Sequence, residues 1–473
     1  MAPPDLATYR RLVSAPLPAK DRTTVTDART RMLSGPILPT LLRLSVPNML
    51  VICAQAAVSI AEAGFVGLLG TAPLAGVALV FPLVMLMQMA SAGAMGGGIS
   101  SSIARALGAK RTADAEALAW HALLIALAIG AAFSIVTLGF GPLIYRSMGG
   151  QGEALDAALV YSNWVFGGAV LVWIMNSLAS VLRGTGDMRT PAVVLVWGAV
   201  VVIPLSPLLI FGAGGFKGMG VRGAAIAYLA YYIIGSSILA WKLLRPGCAI
   251  RLRPSALRRE RFLDILKVGI PACVHAILIN LSVAVTTGFV GVYGTAAIAG
   301  YGIGARLEYL QIPIVFGFGG ALVAMVGTNV GAGQRERARR IAWIGSSFAA
   351  AVCGGIGLIV AIAPHLWADW FSSDPAVLAI AYRYLHIVGP AYALLGLGMA
   401  LYFSFQGTGR MVWPLACVGV RMSIIVIGCT LASRVFGFGV DSLFAVTAGG
   451  LLAFGAMYAW VTAKYFAVVS SSV

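Results

Sequence analysis

Long apolar segments recur along the whole chain, and they restrict its possible folds more than any other feature of the sequence. Between polar or Gly- and Pro-rich breaks lie twelve such segments, each with the roughly 20 apolar residues that a helix needs to cross a bilayer. Only 10% of the 473 residues are charged, whereas about 25% are charged in soluble globular proteins. The chain is therefore predicted to be an all-α polytopic membrane protein with twelve transmembrane helices.

The sequence is also internally duplicated. Residues 64–76, GFVGLLGTAPLAG, match residues 288–300, GFVGVYGTAAIAG, at nine of thirteen positions. Two further segments, 107–120 and 183–191, recur 223 positions later. Such a constant offset is the mark of a repeated structural unit. Because the basic loops of both copies fall on the same side of the membrane, we expect two parallel six-helix lobes related by an axis along the membrane normal.

These features predict the organisation of the chain. The N-terminal region is polar and lacks the apolar core of a secretory signal peptide, so it is interpreted as a mobile tail. The predicted parts are a cytosolic N-terminal tail (1–44), a first six-helix lobe (45–243), a cytosolic inter-lobe loop (244–263), a second six-helix lobe (264–467) and a C-terminal tail (468–473).

Lysine and arginine orient the chain. Of the 33 basic residues, 26 lie on the side of the N-terminus, four lie in the opposite loops and three lie within helices. Since basic loops remain in the cytosol, both termini are predicted to be cytosolic in a multi-pass plasma-membrane protein. This placement accounts for most of the net charge of +17 without a nucleic-acid partner. The cysteines and histidines show no metal-binding spacing, so neither a metal nor a cofactor is expected.

Several motifs resemble those of multidrug and toxic compound extrusion (MATE) transporters. The loop signature of the major facilitator fold is missing after the second helix, where the chain reads ARALGAKRTADAE. The motifs that carry the resemblance are, in chain order, LSVP, EAGFVGLLG, RALGAKR, NSLASVLRGTGD, GARLEYLQIPIVFGFGGALVAMVGTNVGAG and FQGTGRMVWP.

The resemblance implies a secondary antiporter that expels organic, often cationic, drugs or toxins in exchange for H⁺ or Na⁺. Substrates would bind in a cavity between the lobes that opens alternately to the two sides of the membrane. An alternative is a flippase or exporter of lipid-linked precursors or metabolites from the same superfamily. A phosphate-binding loop of ATP-driven pumps is absent, and a non-transporting receptor would not need buried carboxylates. The protein is expected to be a monomer embedded in lipid and not an enzyme.

Two carboxylates, Glu62 and Glu308, lie well inside apolar helices. Ionisable residues in the membrane are costly, and they are functional by default. The repeat counterpart of Glu62 is Thr286, and a purely structural charge would more naturally be duplicated, so we expect Glu62 to act in transport. For Glu308, two interpretations stay open: a salt bridge with Arg421, or contact with substrate or proton. Arg306 and Arg421 are predicted to be buried structural charges.

The resemblance also implies a cation-coupling site in the first lobe, made of Glu62, Asn176 and Ser206. Family members carry an Asp where Glu62 stands and an Asn that matches Asn176. Their Asn-x-x-x-Asp-Pro pattern in the fifth helix is replaced here by Val202 and Ser206, and a Thr of the sixth helix by Tyr228. Na⁺ needs several oxygen ligands, whereas a proton needs one titrating group. We therefore expect H⁺ coupling through Glu62, with Na⁺ as the weaker option.

The substrate cavity is predicted to lie mainly between the first, second, seventh and eighth helices. Amphipathic cations favour apolar and aromatic surfaces with a few acceptors. Hydrogen bonding between packed helices is an equally good explanation for each polar residue taken alone. The candidate cavity residues are Gln55, Gln88, Asn280, Glu308, Tyr309 and Gln311.

Overall fold

The computed structural model describes residues 28–245 and 247–470, so most of the predicted N-terminal tail and the last three residues lie outside the described part. Eleven helices in that part are long and apolar enough to cross a membrane, and a pair of helices bent by 46° makes a possible twelfth span. Helices are the expected solution because lipid offers no hydrogen bonds to the backbone. The all-helical membrane fold predicted from the apolar segments is confirmed.

The membrane helices are, in chain order, α1 (Ile37–Gly67), α2 (Thr71–Gly108), α3 (Thr112–Ser147), α4 (Gly152–Gly167 with Ala169–Gly184), α5 (Arg189–Phe211), α6 (Val221–Leu244), α7 (Arg259–Gly291), α8 (Thr295–Gly331), α9 (Arg335–Ile362), α10 (Pro375–Thr408), α11 (Val412–Ser433) and α12 (Val440–Phe466). A short antiparallel pair, β1 (Gly212–Ala213) and β2 (Phe216–Lys217), joins α5 to α6. A helical turn, His365–Ala368, precedes α10.

The region predicted as a mobile tail is partly helical and packed. Helix α1 begins at Ile37, because the apolar pattern of the first membrane helix extends upstream of residue 45. Residues 28–34 form a further helical segment that touches both halves of the chain. Arg29 donates to the backbone oxygen of Gly108 (3.1 Å), and Asn329 donates to that of Met32 (3.0 Å).

Two clusters of buried apolar side chains form the interior. One consists of residues between Val51 and Ile265, and the other consists almost entirely of residues from Val268 onward. Each half of the chain therefore has a core of its own. This is the arrangement expected for a duplicated unit, since each copy can bury its own apolar helix faces.

The two halves meet at one end, which we call the closed end. There the C-terminal ends of α2 and α8 are in backbone contact at Gly108 and Gly331. Polar contacts reinforce this end: Arg105 pairs with Asp264 at 3.2 Å, and the Ser101 hydroxyl donates to the Gly407 carbonyl oxygen at 3.2 Å. All of these contacts would have to separate for this end to open.

Away from the closed end, the central helices diverge. Helices α1 and α8 run antiparallel and touch at Met49 and Gly317, where an added Cβ on the glycine would lie 2.7 Å from the methionine Cγ. About two turns further from the closed end, Gln55 on α1 and Tyr309 on α8 are both exposed. The second half packs against α2 from Met89 onward, whereas the Thr71–Gln88 part of α2 packs mainly within the first half. The halves therefore separate away from the closed end and leave a cleft between them.

Candidate functional site

Glu62 lies near the end of α1 that is remote from the closed end. Its Oε1 accepts a hydrogen bond of 2.6 Å from the hydroxyl of Tyr161, which is buried on the first segment of α4. Among the described residues, no basic side chain forms an ion pair with Glu62.

Asn176 and Gln88 belong to one hydrogen-bond network within the first lobe. The Asn176 amide donates to Gln88 Oε1 (3.1 Å) and to the Ser91 hydroxyl (2.8 Å). The Gln88 amide in turn donates to the hydroxyls of Tyr228 (3.2 Å) and Tyr232. Gln88 immediately precedes a π-helical turn, Met89–Met95, and such turns are frequent at functional sites. Asn176, a predicted coupling residue, is thus hydrogen-bonded to Gln88, a predicted cavity residue.

Ser206 is separate from this network. It lies on α5 between Pro204 and Pro207 and is buried, and its hydroxyl has no hydrogen-bond partner among the described residues. In the same part of the chain, no hydrogen bond joins Glu62, Asn176 and Ser206 to one another. A common cation site made of these three residues therefore stays a prediction.

Glu308 forms the ion pair that was one of its two alternatives. Arg421 Nη2 donates to Glu308 Oε1 at 2.8 Å, and the two side chains are only 1% and 6% exposed. The guanidinium also lies over the ring of Phe454, 5.6 Å from its centroid. The predicted burial of Arg421 is therefore observed. A pair buried this deeply contributes little net stability, but the loss of one partner is costly.

A cavity of about 340 Å³ lies along α7 and α8, and we call it the second-lobe cavity. Two of the predicted cavity residues line it, and so does Arg306. The prediction that Arg306 is buried is wrong, because its side chain is exposed. The lining residues are Asn280, Val283, Ala284, Thr287, Ile298, Tyr301, Gly302, Ala305, Arg306 and Tyr309.

One residue that lines the second-lobe cavity, Asn280, lies next to the first lobe. The Asn280 amide lies 3.9 Å from Met89 Sδ and also donates to the Ala276 carbonyl oxygen at 2.9 Å. Met89 begins the π-helical turn that follows Gln88. One lining residue of the cavity thus lies at the boundary between the two halves, where a substrate of an alternating-access protein is expected to bind.

The remaining predicted cavity residues are distributed differently. Gln55 is exposed on α1 and lies outside the second-lobe cavity. Glu308 and Gln311 are buried and do not line this cavity either. Both polar atoms of the Gln311 amide lack a partner among the described residues. The sequence of α8 could not show which of its polar residues line the cavity and which are buried, because almost every residue of that helix is apolar.

Three hydrogen-bond partners of the candidate site residues were not predicted from the sequence. Tyr161 holds Glu62, while Ser91 and Tyr232 hold the amides of Asn176 and Gln88. An isolated tyrosine or serine in an apolar helix carries no local signal of such a role, because both residues are common at helix contacts. The repeat offers one hint: the counterpart of Glu62 is Thr286, whose hydroxyl donates to the Ser282 carbonyl oxygen of its own helix at 3.0 Å and to no other helix among the described residues.

Comparison with known proteins identifies the family. The MatE family profile matches residues 47–208 and 271–431, one match in each half. The chain is 28% identical over 371 residues to a Shewanella oneidensis protein named FAD transporter, covering 78% of this chain and 82% of that one. It is 28% identical over 385 residues to the probable multidrug resistance protein NorM of Thermotoga maritima, with 79% and 81% covered.

The fold agrees with this match. It superimposes on the crystal structure of MATE in the bent conformation with a TM-score of 0.85 at 25% identity, covering 94% of this chain and 98% of that chain. The profile, the duplicated core and the membrane helices therefore point to one family of transporters and not to enzymes. The chain belongs to the MATE family of membrane transporters.

Proposed function

We propose that this transporter is a secondary antiporter that exports small organic molecules, drugs and toxins among them, in exchange for protons that bind at Glu62. The observation that carries the proposal is the Glu62 carboxylate, held by the Tyr161 hydroxyl at 2.6 Å without a basic partner among the described residues. An unpaired acid at membrane depth is a proton or ion site by default. The names of the multidrug relatives support the substrate class.

Proton coupling requires that the two forms of Glu62 favour different arrangements of the lobes. A ligand shifts a conformational equilibrium only through its different affinity for the two states. In the anionic form, Glu62 accepts the Tyr161 hydrogen bond that ties α1 to α4. Protonation removes the charge that makes this bond strong, so α1 is then freer to move. The proton taken up from outside thereby drives the step that releases substrate outward.

H⁺ is favoured over Na⁺ because few oxygen atoms surround the carboxylate. The Tyr161 hydroxyl is the hydrogen-bonding oxygen that the described residues supply. The Asn176 amide is engaged with Gln88 and Ser91 instead, and the Ser206 hydroxyl makes no bond to Glu62. One titrating group is enough for a proton, whereas Na⁺ would need more of these oxygens to converge.

The distribution of basic residues supports an orientation. Lys110 and Arg111 follow α2 directly at the closed end, and Arg335 opens α9 nearby. By the positive-inside rule, we place this end and both termini in the cytosol, in the plasma membrane. In that orientation the cleft opens outward. We propose that the protein works as a monomer, since each chain carries both lobes and their cleft.

The deciding experiment uses proteoliposomes loaded, in separate samples, with a cationic dye (ethidium) and with an anionic flavin (FMN), so that the coupling ion is tested for either class of substrate. Wild type and Glu62→Gln are each tested under two conditions. The first is a pH gradient without Na⁺, and the second is a Na⁺ gradient without a pH difference. The exposed carboxylate Glu153 on α4 provides the matched control, Glu153→Gln. We expect transport with the pH gradient alone, loss in Glu62→Gln and no change in Glu153→Gln. Transport driven by Na⁺ alone, or normal transport by Glu62→Gln, contradicts the proposal.

A second candidate function is the export of metabolites, one of the alternatives that the sequence left open. The observation that favours it is the relative named FAD transporter, 28% identical over 371 residues. Both candidates use the same cleft and the same coupling residue. The two candidates differ in the molecule that the cleft accepts: an organic drug, which is often cationic, or a metabolite such as FAD, which is anionic.

A further inference from the structure

We propose that the second-lobe cavity binds the acidic group of an aromatic organic anion, with Arg306 as its charged contact. This inference rests on the proposed export function and defines its substrate class. The ligand would carry a carboxylate or a phosphate on a planar ring system. Four observations lead to this inference. Arg306 has no carboxylate partner among the described residues, and the nearest acid on the same helix, Glu308, is paired with Arg421. The lining of the cavity is partly polar and aromatic, and its volume suits a small molecule.

Arg306 is a cation within the candidate membrane span α8, and no carboxylate of the described residues forms an ion pair with it. It lies on α8, lines the second-lobe cavity and is exposed. Among the described residues it forms no ion pair, and its guanidinium lies 5.3 Å from the centroid of the Phe371 ring. Two other arginines of the same lobe do have carboxylate partners, Arg383 with Asp441 at 3.6 Å and Arg421 with Glu308 at 2.8 Å.

Arg306 gives the cavity a positive charge. Its planar guanidinium presents several N–H donors in a geometry that matches a carboxylate or a phosphate. The nearest acid along α8, Glu308, is buried and paired with Arg421, and it therefore contributes no free negative charge. Arg306 would repel a simple organic cation, whereas an anion would gain a charge-assisted hydrogen bond from its guanidinium.

The other lining groups suit a ring that carries such an anion. Tyr309 is 44% exposed, so its ring is available for stacking. The amide of Asn280 and the hydroxyl of Thr287 provide polar contacts on α7. Most of the remaining lining is apolar. The volume of about 340 Å³ falls at the lower end of the roughly 300–1,000 Å³ that is typical of small-molecule sites.

The relative named FAD transporter agrees with this chemistry, because FAD combines planar aromatic rings with phosphates. A matched set of flavins therefore makes a direct probe. Riboflavin is neutral, FMN adds a phosphate, and N10-carboxymethylflavin carries a carboxylate on the same ring system. Comparison of the two anions separates a phosphate site from a carboxylate site.

Binding is measured by flavin fluorescence with the purified full chain in nanodiscs, without any ion gradient. We expect at least one of the two anions to bind wild type about tenfold more tightly than riboflavin, as for one charge-assisted contact. Arg306→Gln should abolish this preference, and Arg306→Lys should retain part of it. The matched control Arg383→Gln removes an exposed, paired arginine and should leave the preference unchanged.

The inference is overturned if riboflavin binds wild type as tightly as both anions. It is equally overturned if the preference for an anion survives in Arg306→Gln, because the general positive charge of the protein would then explain it. Arg306 is exposed, so its substitution should not prevent folding, and Arg306→Lys tests the charge independently. Because no gradient is applied, the result does not depend on Glu62. Failure of proton coupling and failure of anion binding are therefore distinguishable.

Discussion

Gly108 and Gly331 are equivalent glycines of the two lobes, and each lies against the backbone of the opposite lobe. An added Cβ on Gly108 would collide with the carbonyl oxygen of Thr328, and one on Gly331 would collide with that of Arg105. Each pair of equivalent residues is separated by 223 positions, so the contact is symmetric about the axis that relates the lobes. Close approach of the two backbones at the closed end depends on the missing side chains.

Alanine at either glycine should therefore open the closed end. Overpacking a tight contact costs about 1–3 kcal/mol, so we expect the equilibrium of Gly108→Ala and Gly331→Ala to shift by about tenfold toward the open state. Ser101, buried between the lobes, can be replaced by a cysteine in a background without the native cysteines. Its rate of labelling by a water-soluble thiol reagent then reports opening.

The control for this measurement is Gly139→Ala on α3. An added Cβ on Gly139 would meet no atom within 4 Å, so the labelling rate should stay at the wild-type value. Unchanged labelling in both Gly108→Ala and Gly331→Ala would show that the closed end tolerates side chains.

Removal of the Tyr161 hydroxyl should impair coupling without removing the proton site. Tyr161→Phe keeps the buried ring but loses the 2.6 Å hydrogen bond to Glu62. A hydrogen bond to a charged group contributes about 1.5–3 kcal/mol, so we expect drug efflux under a pH gradient to slow by about tenfold or more. The matched control is Tyr382→Phe, which removes an exposed tyrosine–carboxylate contact with Asp369. An efflux rate equal to that of wild type in Tyr161→Phe would contradict a coupling role for this bond.

Breaking the buried ion pair should be more harmful than replacing it. Arg421→Met leaves the Glu308 carboxylate buried without its 2.8 Å partner and should destabilise the protein by about 3–5 kcal/mol. The double variant Glu308→Met/Arg421→Met removes both charges and should recover most of that loss. Thermal unfolding in detergent measures both. If the double variant is as unstable as the single one, the pair does not act as a unit.

The network around Asn176 allows stability and transport to be separated. Asn176→Ala leaves Gln88 Oε1 and the Ser91 hydroxyl without their donor, at a cost of about 1–3 kcal/mol. Gln88→Leu/Asn176→Leu removes both amides and should regain thermal stability. We expect efflux to remain impaired in the double variant, because the link between α2, α4 and α6 is lost. Recovery of efflux together with stability would assign the network a structural role only.

The helices and their duplication could be predicted from the sequence because both depend on local information. A run of about 20 apolar residues specifies a membrane helix wherever it occurs, and the match between residues 64–76 and 288–300 is visible without coordinates. Basic residues near the helix ends predicted which side each loop occupies for the same reason. The start of α1 at Ile37 was missed because Pro39 and Arg43 interrupt the apolar pattern upstream of residue 45.

The partners of the polar residues were decided by the tertiary structure alone. Arg306 and Arg421 both lie in apolar helices, yet one is exposed at a cavity and the other is buried on Glu308. Glu62 and Tyr161 are 99 positions apart and meet at 2.6 Å. No sequence spacing encodes such a contact, because it depends on which helix faces pack together. In lipid, where helices gain little from burying apolar surface, those faces are selected by close packing and hydrogen bonding across the whole bundle.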